Sequence, residues 1–168
     1  DLKADFIMAN PPFNQKAWRA DNELKTDSRW HGYETPPTSN ANYGWILNIV
    51  SKLSANGVAG FLLANGALSG EGIELNIRRQ LLQNHIVEAI VILPRNMFYS
   101  TDISGTLWIL NRNKKARIVE QNGKMIKYRN RENEVLFIDL RQWGEPFEKK
   151  YIQFSQEQIT EIATNFHN

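Results

Sequence analysis

An α/β fold, a mostly parallel sheet with helices on its faces, is what this sequence predicts. Apolar runs recur at residues 58–63, 86–93 and 105–110, the second broken only by Glu88 and the third only by Thr106, as strands buried on both faces require. Residues 42–53 and 71–84 carry apolar side chains at helical spacing and stand ahead of the first two of those runs. Strand, helix, strand, helix, strand is the order of parallel strands joined by crossovers.

The first strand covers residues 5–9 and stops at Asn10-Pro11-Pro12, because paired prolines cannot continue a ladder. Residues 13–40 are polar, aromatic and turn-rich, with Trp18, Trp30, Tyr33 and the Pro36-Pro37 pair, and show no sustained period. Loops of that length are usually functional or disordered. In the first helix Trp45, Ile46, Ile49, Val50 and Leu53 share a face, and Gly57 is expected to end it. In the second, Ile73, Ile77, Leu81 and Leu82 do the same. The short link from Leu93 to Gly105 leaves two options open, a further parallel strand or an antiparallel pair at the end of the sheet.

Beyond Asn111 the character changes. Arg112, Lys114, Lys115, Arg117, Lys124, Lys127, Arg129 and Arg131 crowd a stretch with few acids, and Asn122-Gly123 is favoured chemistry for a two-residue hairpin turn. Contact with a phosphate backbone is one reading of that segment; a solvated hairpin with incidental charge is the slightly favoured one. A strand over 134–140 follows. Ser155, three residues before Gln158, caps an amphipathic helix carrying Ile159, Ile162, Ala163 and Phe166.

The chain has 168 residues, enough for one domain with a real core, and a formal charge of +2, too small to indicate a nucleic-acid partner. It has no cysteine, which excludes disulfides and thiolate zinc sites and fits a reducing cytoplasm. His31, His85 and His167 lie far apart, so no metal is expected. No apolar run is long enough to span a bilayer. Because Asp1 leads almost at once into a buried strand, the expectation is of a piece of a longer polypeptide.

Asn10-Pro11-Pro12-Phe13 carries the chemistry. It sits at the carboxyl end of a strand, the edge on which open α/β sheets build their sites. An exocyclic amine is a poor nucleophile because its lone pair is delocalised into the ring. The Asn10 side-chain oxygen and the Pro11 carbonyl can each accept one amino hydrogen, which holds the nitrogen and favours pyramidal geometry for attack on a sulfonium methyl group. Phe13 offers a flat face on which an extruded base can stack. A proline-rich strand exit packed by a phenylalanine is the plain structural reading of the same residues.

Further blocks stand in order: Asp27-Ser28-Arg29-Trp30, Ser39-Asn40-Ala41-Asn42-Tyr43, Asn65-Gly66, Ile77-Arg78 and Leu93-Pro94-Arg95-Asn96-Met97-Phe98-Tyr99. Together with Ala9 to Phe13 they make residues 5–112 resemble the modification subunit of type I restriction-modification systems, the N6-adenine DNA methyltransferases of the gamma arrangement. The likeness returns weakly in Val135-Leu136-Phe137-Ile138-Asp139 and the last helix. The sequence departs from the common pattern at Ala64, where many members have proline.

The resemblance implies a Rossmann-like S-adenosylmethionine-dependent methyltransferase fold, represented by its C-terminal half. Residues 1–168 would form one partial catalytic domain: a core with the catalytic loop over 1–111, a basic hairpin-like insertion over 112–131, and a last strand and helix over 132–168. It implies a catalytic loop of Asn10, Pro11, Pro12 and Phe13, with Asn10 also touching the cofactor, and target-base stacking by Phe13 and Phe98. A core aromatic at a loop end is an equally good reading of Phe98. The loop from Asn14 to Asn40 would line the approach for DNA and base. The implied partners are double-stranded DNA, a specificity subunit and a restriction subunit. The family's glycine-rich cofactor turn precedes the catalytic loop, and almost nothing precedes it here, so the stretch alone is expected to be inactive. Ser69-Gly70-Glu71-Gly72 lacks the fingerprint spacing of a dinucleotide loop. Two other readings remain: a ribosomal-RNA guanine-N2 or protein-glutamine methyltransferase with a similar loop, which the outer blocks disfavour, and a non-catalytic module that docks DNA or another subunit.

Overall fold

Parallel strands put their carboxyl ends on one edge, and the element order meets that requirement with a single reversal. The computed structural model describes residues 2–99 and 101–167, the last by its backbone alone; the side chain of His167, one of the three histidines considered for metal binding, lies outside the described residues. Its elements are β1 (Ala4–Ala9), α1 (Asn42–Lys52), β2 (Leu53–Ala64), α2 (Ile73–Gln83), β3 (Val87–Ile92), β4 (Gly105–Asn111), β5 (Arg117–Gln121), β6 (Lys124–Tyr128), β7 (Leu136–Asp139), β8 (Glu145–Phe147), β9 (Tyr151–Gln153) and α3 (Gln156–His167). The main sheet has the order β1-β2-β4-β3-β7. β1 pairs parallel with β2 and β3 with β7, while β4 runs antiparallel between β2 and β3. The link after Leu93 therefore reverses the chain, and it inserts β4 inside the sheet instead of at its end.

Side-chain alternation divides the sheet into two faces. Ala59, Phe61 and Leu63 of β2, with Trp108 and Leu110 of β4, pack against Ile46, Leu47, Ile49 and Val50 of α1 and Ile77 and Leu81 of α2. On the other face Val91, Leu93 and Leu140 join Leu107, Ile138, Phe154 and Ile162, the last from α3. Phe61 and Trp108 stack across the β2–β4 pair with ring centroids 6.2 Å apart. β1 and β7 are the sheet edges, and Phe6 and Met8 of β1 are 82% and 93% exposed.

One expectation at the element boundaries fails. Gly57 does not end α1. The helix stops at Lys52, Leu53 turns extended, and Gly57 lies within β2. A Cβ there would stand 2.8 Å from the Ala4 carbonyl oxygen, so the missing side chain lets β1 approach where its register with β2 shifts. On α2, Ile77 and Leu81 reach the core, but Ile73 and Leu82, expected on the same face, are exposed; elsewhere the local chemistry performs as its residues require. The Gln158 N–H donates to Ser155 Oγ at 3.3 Å and the Ser155 N–H to Gln158 Oε1 at 3.0 Å, a reciprocal cap on α3. Asn122 and Gly123, at φ 52° and 73°, form the turn of the β5–β6 hairpin. Residues 145–153 form a second small hairpin whose three-residue strands carry no alternation to announce it.

The long aromatic loop after β1 is tied to the body of the domain. Trp30 is buried and its Nε1 donates to the Leu24 carbonyl at 2.7 Å, while Trp18 Nε1 donates to that of Pro37 at 2.8 Å. The two indoles meet edge to face, and Trp18 lies on Gly44 of α1, where a Cβ would come within 2.9 Å of its ring. Asp27 caps the 3-10 turn Ser28–Trp30 and takes a bidentate contact from Arg29, which holds its carboxyl well below the usual range, at about 2. These indoles pack the loop, Trp30 buried and Trp18 half-buried. Among the described residues no helix is long and apolar enough to cross a membrane.

Candidate active site

Asn10 follows directly from β1, so its position is set by the strand's pairing with β2, where Ala9 lies opposite Phe61. Pro11 turns inward and is buried, while Asn10 and Pro12 are exposed and Phe13 is half-buried. These four residues form one wall of a cleft of about 440 Å³; Asn14, Phe98, Thr101 and Ile103 supply the rest. That volume lies within the roughly 300–1,000 Å³ of small-molecule sites. The structure thus brings together Asn10, Pro11, Pro12, Phe13 and Phe98, the candidate site residues of the sequence. Phe13 and Phe98, 85 positions apart in the chain, line the same space.

Phe98 is held by the reversal between β3 and β4. Its ring lies over Gly105, where an added Cβ would meet Phe98 Cε2 at 3.3 Å. The base of the loop is closed by the Leu93 N–H, which donates to the Gly105 carbonyl at 2.9 Å, and by Ser104 Oγ, which donates to that of Leu93.

The loop's exit is secured by a residue that carried no assigned role in the sequence. Asn14 sits at φ 51°, in the left-handed region. The Asn42 side chain, 1% exposed at the start of α1, grips it from both sides: Oδ1 accepts the Asn14 N–H at 3.1 Å, and Nδ2 donates to Asn14 Oδ1 at 2.9 Å. Asn40 Oδ1 in turn accepts the Asn42 N–H at 2.9 Å. The cluster of asparagines in Ser39-Asn40-Ala41-Asn42 was the available signal, since asparagine tolerates such turns and bonds backbone locally. Truncating Asn42 to alanine leaves the Asn14 N–H unpaired. A stability loss of about 1–3 kcal/mol is expected, with turnover falling at least tenfold as the loop loosens. Thermal unfolding and steady-state kinetics check the two effects separately.

Among the described residues that line the cleft there is no carboxylate, lysine or histidine. Its polar groups are amides, backbone carbonyls and the Thr101 hydroxyl. Such acceptors suit the hydrogens of a neutral amino group. Of the long loop from Asn14 to Asn40, Asn14 is the residue that lines the cleft.

The basic segment lies elsewhere. It follows the end of β4, where the Arg112 N–H donates to the Gly57 carbonyl at 2.9 Å, on the sheet edge opposite the Asn10 cleft. Two of its cations turn inward. Lys114 is 4% exposed and its ammonium donates to the carbonyls of Val87, at 2.7 Å, and of Glu134. Burial lowers its pKa, against the opposing pull of Glu88. Arg131 pairs with the buried Glu88 at 3.0 Å, and Asn111 Nδ2 donates to the other carboxylate oxygen at 3.0 Å. Both cations brace the sheet, so neither is incidental surface charge.

Over 168 residues the chain is 40% identical to the Type I restriction enzyme HindI methylase subunit of Haemophilus influenzae, covering 99% of this chain and 34% of that protein. It superposes on the crystal structure of the type I restriction-modification system methyltransferase subunit from Streptococcus thermophilus with a TM-score of 0.82 at 26% identity, over 99% of this chain and 32% of that one. A putative class I S-adenosylmethionine-dependent methyltransferase from Listeria monocytogenes matches with a TM-score of 0.60 at 17% identity, covering 100% and 43% of the two chains. That last likeness is of fold alone, and the fold is the α/β one of class I methyltransferases. The chain spans about a third of the length of the first two proteins. The N-6 DNA methylase profile matches residues 1–168, and the chain belongs to that family.

Proposed function

We propose that the chain is the catalytic-loop portion of a DNA adenine-N6 methyltransferase that acts as the modification subunit of a type I restriction-modification system. One observation carries the reading: Asn10-Pro11-Pro12-Phe13 leaves the carboxyl end of β1 and shares a single uncharged cleft with Phe98. The partners in this reading are double-stranded DNA, a specificity subunit that selects the site, and a restriction subunit. Residues 1–168 act as one partial catalytic domain, with the core, basic hairpin and C-terminal strand and helix as its parts.

S-adenosylmethionine would supply an electrophilic methyl group when bound, and Asn10 is the residue of this chain that would help hold it. The chain's own residues prepare the nucleophile. Phe13 and Phe98 receive an extruded adenine by stacking, which offsets part of the few kcal/mol of unstacking. Asn10 Oδ1 and the Pro11 carbonyl each accept a hydrogen from the amino group, orienting the lone pair along the transfer direction. Buried Pro11 and the Asn14–Asn42 clamp fix the loop before the base arrives, so little reorganisation remains for the reaction itself.

The test is transfer of tritiated methyl from S-adenosylmethionine to duplex DNA by the full-length parent with its specificity subunit. Label on adenine N6 is the expected result. A parent that binds the cofactor and labels no adenine overturns the reading.

A further inference from the structure

The second hairpin, β8–β9, makes its contacts with the Phe98 loop. The Ile152 N–H donates to the Asn96 carbonyl at 3.0 Å. The Tyr151 ring meets that of Tyr99, Phe98's neighbour, edge to face with centroids 4.6 Å apart. Lys150 reaches Asp102 on the returning limb of the loop at 3.8 Å and lies 5.2 Å from the Tyr151 ring centroid. Arg95 Nε donates to the Asp102 carbonyl at 3.2 Å, joining the two limbs. Gly144, at φ 98°, turns the chain into the hairpin; a Cβ there would strike the Ile152 side chain.

Phe98 is half-buried, packed over Gly105 and beside the Val91, Leu93 and Leu140 cluster, but its immediate neighbour Tyr99 is 70% exposed, so the tip of the loop takes its support from outside. A ring that must stack on an extruded base has to be held at the correct depth, and misplacement by about 1 Å can cost roughly 10²-fold in rate. We propose that the β8–β9 hairpin is the brace that sets Phe98 against the Asn10–Phe13 wall, with Tyr151 as a positioning residue for capture of the target base. This rests on the adenine-methyltransferase reading above and adds to it. Tyr151 acts through Tyr99 and the loop and does not itself line the cleft. Because the contact is between ring and ring, the phenyl group carries it and the hydroxyl does not.

The experiment uses the full-length parent with its specificity subunit, on duplex DNA carrying 2-aminopurine at the target position. Wild type is expected to raise the probe's fluorescence as the base unstacks. Tyr151→Ala should lose most of that rise and drop in kcat on adenine DNA by roughly tenfold to a hundredfold, with cofactor affinity kept. Tyr151→Phe should behave as wild type. Wild-type fluorescence and kcat in Tyr151→Ala overturn the proposal, as does a Phe variant as impaired as Ala. If Tyr151→Ala loses its fold, Tyr99→Ala decides the matter, because that exposed side chain is the other half of the contact. The same loss supports the brace and wild-type behaviour refutes it. Asn10→Ala, run in parallel, separates the two levels. Active wild type and dead Asn10→Ala beside an unaffected Tyr151→Ala sink the brace alone; wild type that labels no adenine sinks the underlying reading.

Discussion

Asn10→Ala in the full-length parent is expected to lower methyl transfer by on the order of 10²–10³-fold in kcat, with cofactor affinity largely kept. The side chain is exposed at the cleft and follows a strand paired along its length with β2, so its removal leaves the backbone in place. What disappears is one of two acceptors for the amino hydrogens, and with it the orientation of the lone pair. Asn10→Asp should retain far more activity than alanine, since a carboxylate oxygen accepts the same hydrogen. Tritium transfer at saturating DNA measures both. Equal rates for wild type and Asn10→Ala would assign the loop a structural role and remove the basis of the mechanism.

Arg131→Ala is expected to be the most destabilising single change outside the hydrophobic core, at about 3 kcal/mol, the lower end for breaking a buried ion pair. Glu88 is 5% exposed, and its carboxylate depends on Arg131 and Asn111 for its hydrogen bonds. Lys114 lies close by and offsets part of the loss, which keeps the figure from being larger. Hydrogen exchange at the β3 amides reads the effect as a fall in protection on the order of 10²-fold. Adding Glu88→Gln to Arg131→Ala should recover most of it, because a neutral amide oxygen still accepts from Asn111 without burying charge. The salt dependence of DNA binding is expected to stay unchanged; a slope smaller by about one charge together with unaltered exchange would return Arg131 to the phosphate backbone.

Much of the fold was legible because the local signals agreed with one another. The apolar runs of β2, β3 and β4, the helical spacing of α1 and α2, the capping pair Ser155 and Gln158, and the Asn122-Gly123 turn are each short-range chemistry with a single good solution. Gly57 misled because glycine both ends helices and permits close strand approach, and the residue does not state which is needed. β8 and β9 were invisible because their three-residue strands are too short for any period to register.

The sequence by itself determined the fold class and the strand exit at Asn10-Pro11-Pro12-Phe13, since proline placement and apolar spacing act within a few residues of themselves, and its ordered blocks carried the resemblance to the family. The tertiary structure alone decided that β4 runs antiparallel between β2 and β3, that Asn42 grips Asn14, that Arg131 and Lys114 turn inward, and that Phe98 comes to face Phe13. Each of these joins residues at least 14 positions apart, and the reason is common to all. A side chain's partner depends on which strands become neighbours, and that choice is made by packing the whole sheet against its helices.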